Sequence, residues 1–234
     1  MDLTDENVLT KITFLLPNEI NEMMKLMIVS KSENKFSNYN KFNTLFSDGN
    51  GEFICCQTYT NDLFHNFDIN DVVILKKFIV ILAVDDKDFL PLNKKGFKLD
   101  NTSVSTIEVS NKNDKKNIDL VVETIETLVN DTVSVKLFKN VKGVVLNKTI
   151  SHPNQKIMVK YELANEAFNF GIHLILWSND VVLDDNYLYT FKFVTVDKYN
   201  GGLQLSFNHF TKFEEKKKIK SKYFKYFYSS FTKL

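Results

Sequence analysis

Residues 170–207, FGIHLILWSNDVVLDDNYLYTFKFVTVDKYNGGLQLSF, constrain the fold more than any other stretch. An apolar run ends in Trp177, the single tryptophan of the chain. A polar break over residues 178–186 follows, then a segment with aromatics at Tyr187, Tyr189, Phe191 and Phe193. Residues 198–202, KYNGG, make a turn before the alternating LQLSF. Period-two alternation of β-branched and aromatic residues predicts strands, and Asn-Gly-Gly predicts a tight turn between two of them. Strand, connector, strand, hairpin and strand is the order of the back half of a small Greek-key barrel.

The first half repeats the theme. Strands are predicted over residues 22–30, 41–46, 52–59 and 71–84, with residues 31–40 as a polar turn and Ser47-Asp48-Gly49-Asn50-Gly51 as a hairpin. Residues 97–109 close the set. Residues 110–117, SNKNDKKN, hold no hydrophobic residue and read as a linker. It separates two segments of similar length and strand order, a tandem repeat. In the second segment, Ile118, Val121, Val122, Ile125 and Leu128 fall on a helical stripe. The expected division is residues 1–110, a linker at 111–117, residues 118–213 and a tail at 214–234.

Composition narrows the function classes. The 30 basic residues are all lysine and the formal net charge is +1. Residues 214–234 hold seven Lys and two Glu, net +5, so residues 1–213 carry +1 minus +5, or −4. A global basic field is therefore no argument for nucleic-acid binding, and any grip must be local. Cys55 and Cys56 are adjacent, which suits neither a disulfide framework nor a zinc site and fits reduced thiols in an intracellular protein. The polar, acidic start MDLTDENVLT is no signal peptide, and the apolar run 72–84 is split by Lys76-Lys77 and too short to span a bilayer. No phosphate-binding Gly-x4-Gly-Lys loop occurs. His65, His152, His173 and His209 are scattered, and Asp180, Asp184 and Asp185 lie in a connector. Neither set makes a catalytic or metal constellation, so no enzyme, cofactor, metal or small-molecule substrate is expected.

The order Leu-Trp, acidic connector, strand, aromatic-Asn-Gly-Gly hairpin and Leu-x-Leu-Ser resembles an OB-fold, in particular the second DNA-binding barrel of the replication protein A large-subunit family. The first half resembles that family's first barrel through Lys31-Ser32, Lys35-Phe36, Lys41-Phe42, residues 48–52 and 71–83, and Asn101-Thr102-Ser103-Val104. The resemblance covers roughly residues 15–213. It implies an all-β chain of two tandem five-stranded OB barrels with short helices. It also implies single-stranded DNA stacked on Phe42, Trp177 and Tyr199. The family's remaining stacking phenylalanine falls at Leu75 here, so Phe78 is the substitute candidate, although Leu75 and Phe78 differ by an odd number and should face opposite sides of a strand. Where the family uses arginine on the backbone, this chain offers Lys31, Lys35, Lys41 and Lys198, point charges without a bidentate fork. The competing reading of each ring is a core residue, and of each lysine a solvated turn residue.

The tail falls outside the resemblance. Ile219, Tyr223, Phe227, Phe231 and Leu234 recur at helical spacing among lysines. A helix there could capture a partner or a second copy, follow DNA, or pack on its own barrel; the first is favoured. The function expected is a single-stranded DNA-binding protein of replication, repair or recombination, acting in the nucleus or at a viral replication site, with other replication proteins as partners and no membrane. The alternative is an OB-fold scaffold subunit of a replication or telomere complex.

Overall fold

The alternating segments form antiparallel ladders closed by one parallel pair in each of two units, residues 1–120 and 121–234. The computed structural model describes residues 9–36, 39–58, 65–82, 97–111, 121–130, 138–199 and 202–219, leaving aside the side chains of 34–36, 39–41, 111 and 199. The first unit contains β1 (Ile20–Asn21), β2 (Met24–Phe36), β3 (Tyr39–Ser47), β4 (Phe53–Thr58), β5 (Val72–Lys76), β6 (Phe78–Leu82), β7 (Phe97–Asp100) and β8 (Thr106–Asn111). The second contains β9 (Val122–Thr124), β10 (Phe138–Ser151), β11 (Met158–Ala164), β12 (Gly171–Leu176), β13 (Tyr187–Tyr199), β14 (Gly202–Ser206) and β15 (Lys212–Lys218).

Both units run the same circuit. In the second, β10 pairs β11, β11 pairs β12, β12 pairs β14 in parallel, β14 pairs β13, and β13 returns to β10. In the first, β2–β3–β4–β7–β6 follows the same order, and β5, one residue before β6, returns to β2. That order is the OB-fold barrel, present twice. A bulge sits in the first strand of each barrel, between Ile28 and Ser30 and between Val145 and Asn147.

The fourth strand shows why the barrels close. Lys77 and Phe193 both have positive φ, 59° and 58°. At Lys77 the strand leaves β2 and takes up β7; at Phe193 it leaves β15 and takes up β14, while β10 stays paired on both sides of the break. Each strained carbonyl is held by a polar pair from the turn after the fifth strand. Thr102 Oγ1 and Ser105 Oγ donate to Lys77 O at 3.1 and 2.7 Å. Asn208 Nδ2 and Thr211 Oγ1 donate to Phe193 O at 2.6 and 3.2 Å. Non-glycine residues in this region cost roughly 1–3 kcal/mol and persist only where the surroundings hold them.

The left-handed residue also resets the strand's alternation. Leu75 and Phe78 consequently lie in the same core cluster, both fully buried, rather than on opposite faces. Phe78 is a core residue and not a stacking platform.

Each barrel carries a helical plug with an i, i+3 apolar pair, set before its first strand. Ile12 and Leu15 fill the first core from a single turn, Ile12–Phe14. Ile125 and Leu128 fill the second from the short helix Ile125–Asn130. A Cβ at Gly143 would stand 2.9 Å from Ile125 Cδ1, so glycine lets the plug approach β10. The predicted stripe is thus confined to its last turn, and Val121 is exposed.

Three boundaries differ from expectation. Residues 31–36 are strand, because β2 and β3 stay paired as far as Phe36 and Tyr39. Each barrel has two strands beyond the circuit, β1 on β6 and β8 on β5 in the first, β9 in parallel on β10 and β15 on β13 in the second. The tail expected from residue 214 therefore starts inside a strand. Its charge hides the pattern, since an edge strand carries lysine without a buried face. Ile219 is part of the barrel as well: its N–H donates to Asn186 O at 2.8 Å, and it packs against the cluster of Val144, Leu146, Ala164 and Leu188. The remaining tail residues, Tyr223, Phe227, Phe231 and Leu234, lie outside the described residues, as does the linker from residue 112 onward.

Candidate nucleic-acid interface

The inward positions of β12 are Ile172, Leu174 and Leu176, all in the core. Alternation sends His173, Ile175 and Trp177 to the outer face. Register brings Lys160 and Glu162 of β11 beside Ile175 and His173 on one side. On the other side stand Gln204 and Ser206 of β14. Trp177, just past the end of β12, is 58% exposed, an indole that the barrel leaves to solvent. Burial and the charge of Lys160 hold the His173 pKa below its ordinary value, with Glu162 pulling the other way.

The connector after Trp177 is anchored from below. Tyr161 Oη accepts the Leu183 N–H at 3.1 Å and donates to Val181 O at 3.3 Å. Tyr189 Oη accepts the Asp184 N–H at 2.9 Å and donates to Glu215 Oε2 at 3.2 Å. Leu183 is buried in the core between these stakes. Ser178 Oγ donates to Asp180 Oδ2 at 2.5 Å and accepts the Asp180 N–H at 3.1 Å. The backbone carrying Trp177 is thus tied to the barrel although its ring is open. An exposed ring on an ordered backbone is what base stacking requires, because little entropy is lost when the base arrives.

The remaining predicted residues are placed less uniformly. Tyr199 ends β13 opposite Gly202, at the tip of the predicted hairpin, with Lys198 exposed beside it. The side chains of Tyr199, Lys35 and Lys41 lie outside the described residues. Phe42 is buried, only 4% exposed, on the same face of β3 as the core residue Phe46. It meets the His65 ring edge-on at 5.9 Å between centroids. It offers no face to a base, which corrects the stacking assignment. Lys31 is also taken: its ammonium donates to Phe67 O, and burial lowers its pKa against the pull of Asp68 and Asp71. That lysine holds a loop rather than a phosphate.

Sequence reasoning missed the covered state of the first barrel's outer face. Ser30 and Asn43 lie there fully buried, and among the described residues the Ser30 hydroxyl and both amide atoms of Asn43 have no hydrogen-bond partner. On the second barrel's outer face Ile175 is buried too, and Trp177 is the ring left open at its end. No group of three or more His, Cys, Asp or Glu suited to a metal occurs among the described residues. Both cysteines are buried, and the Cys56 thiol is pushed up to about 12, mainly by burial.

The fold has solved counterparts. A murine DNA-binding protein bound with double-stranded DNA matches with a TM-score of 0.54 at 12% identity, over 86% of this chain and 99% of that one. The p202 HIN1 domain in complex with a 12-mer of double-stranded DNA matches with a TM-score of 0.52 at 14% identity, over 88% and 98%. A replication protein A heterotrimer bound to single-stranded DNA matches with a TM-score of 0.49 at 19% identity, over 96% of this chain and 55% of that one. No family model matches the chain. No curated protein matches its sequence. At these identities the likeness is one of fold: the chain is a tandem OB-fold protein.

Proposed function

We propose that this chain binds single-stranded DNA in replication, repair or recombination, in the nucleus or at a viral replication site, and that it has no catalytic role. The observation that carries the reading is Trp177, exposed at the end of β12 on a connector staked by two tyrosine hydroxyls. Lys160 on the same face and Lys198 at the hairpin supply local positive charge in a body that is otherwise slightly acidic. Stacking on a ring contributes roughly 1–3 kcal/mol per base and tolerates every base, so sequence preference should be low. Solved proteins of the same fold that are bound to DNA support a nucleic-acid ligand.

Filter retention at about 0.15 M salt tests the preference for unpaired bases. Single strands should be held and a duplex of the same length largely lost. Equal retention of the two would remove stacking as the main contact.

A scaffold role is the second reading. It is favoured by exposed Phe14, Leu16, Ile20 and Met23 along the N-terminal strap of the first barrel. Exposed apolar patches of this kind mark protein interfaces. A scaffold would show no salt-dependent retention of single strands.

A further inference from the structure

β13 is interior to its sheet, with β10 on one side and β15 on the other over residues 188–191. The inward positions of this seam are Val141, Tyr189 and Phe191, all core. Its outward positions are charged apart from the buried Thr190 and Leu188. Lys142 stands opposite Thr190, Lys192 opposite Lys212, Thr190 opposite Glu214, and Leu188 opposite Lys217. With Lys216 and Glu166 the face gathers five lysines and two glutamates, 5 − 2 = +3.

Each carboxylate is shared by two lysines. Glu166 sits 2.6 Å from Lys142 and 3.3 Å from Lys217. Glu214 sits 2.9 Å from Lys192 and 2.6 Å from Lys216, and those two hydrogen bonds, Lys216's first, hold its pKa down to about 2. The glutamates fix the ammonium groups in place and leave one positive charge over in each triad. Lys212 faces Lys192 directly, and no carboxylate pairs with it among the described residues. Like charges directly opposed on an antiparallel pair are destabilising. Blunting of a free edge explains lysines on β15. It does not explain Lys142 and Lys192, which stand on interior strands.

We propose that this lysine seam is a second nucleic-acid surface, one that takes the sugar–phosphate backbone and no base. The outward positions named carry no ring, and Phe168 beside them is packed against the apolar cluster of Leu188. The seam is also separate from Trp177: in the circuit β10–β11–β12–β14–β13, the strand leading to Trp177 lies two strands from both β10 and β13. This goes beyond the stacking site and stands or falls independently of it. A duplex, whose bases are stacked away, offers this face its phosphodiester backbone and should be held there at low salt, whereas a short single strand should be held mainly at Trp177.

The test uses the full chain with Lys192→Gln, Lys212→Gln and Lys217→Gln combined, and the same three positions changed to Arg as a control. Binding of a blunt duplex is measured as a function of salt, starting at low salt. Removing three phosphate contacts should flatten the slope of log K against log salt by about 2–3 and weaken low-salt binding more than tenfold. The Arg variant should restore both. Quenching of Trp177 by a short oligo-dT should be unchanged in both variants. An unchanged duplex slope in the Gln variant, or no duplex binding by the unsubstituted protein at low salt, overturns the seam. So does an equal loss of oligo-dT affinity, which would make the lysines part of the stacking site. Absence of quenching in the unsubstituted protein counts against the stacking site and leaves the duplex result to decide the seam.

Discussion

Replacing Phe42 with alanine should lower the stability of the protein by about 3–5 kcal/mol, the range for removing a large buried ring. The ring is 4% exposed, shares a face of β3 with Phe46, and meets His65 edge-on. The cavity left behind would open beside a well-filled core, and the first barrel should melt earlier. Urea unfolding followed by circular dichroism measures the loss. If stability held while single-stranded DNA affinity fell, the ring would be a stacking surface after all, as its position in the sequence suggests.

Trp177→Ala should do the reverse. The indole is 58% exposed and no core cluster among the described residues includes it. Its removal should leave the unfolding midpoint nearly unchanged and weaken single-stranded DNA binding by about 1–3 kcal/mol, several-fold to more than a hundredfold. Equilibrium binding of labelled oligo-dT reads the change. A large fall in stability with unchanged affinity per folded molecule would place the ring in the core. The two substitutions together form a cross-over, since the sequence assigns both rings one role and the structure separates them.

The separation has a physical origin. Alternation of apolar and polar residues was enough to read the strands, the tandem repeat and the hairpin at Asn200, because those signals are local. Trp177 was legible for the same reason, as it closes an apolar run and precedes a polar connector. Phe42 was not, because burial is settled by tertiary packing, and the His65 ring that meets it edge-on comes from outside the strand. The breaks at Lys77 and Phe193 were hidden too: glycine would announce a positive φ, and neither position has one. What stabilises them is two short polar turns, Thr102 with Ser105 and Asn208 with Thr211, whose target is visible only once the strands are folded. β15 was read as tail because KFEEKKK shows no alternation, and its partner is β13 rather than its own sequence neighbours. The lysine seam was out of reach for the same reason, since Lys142, Lys192 and Lys212 meet only through barrel closure.

Titrating the protein with oligo-dT while recording its intrinsic tryptophan emission tests the central claim most directly, because Trp177 is the single tryptophan of the chain. A base stacked on the indole should quench that emission in step with binding, reach a plateau at a defined stoichiometry, and be reversed by competing unlabelled single strands. Emission that stays constant while oligo-dT is demonstrably bound would show that the bases lie elsewhere and contradict the account.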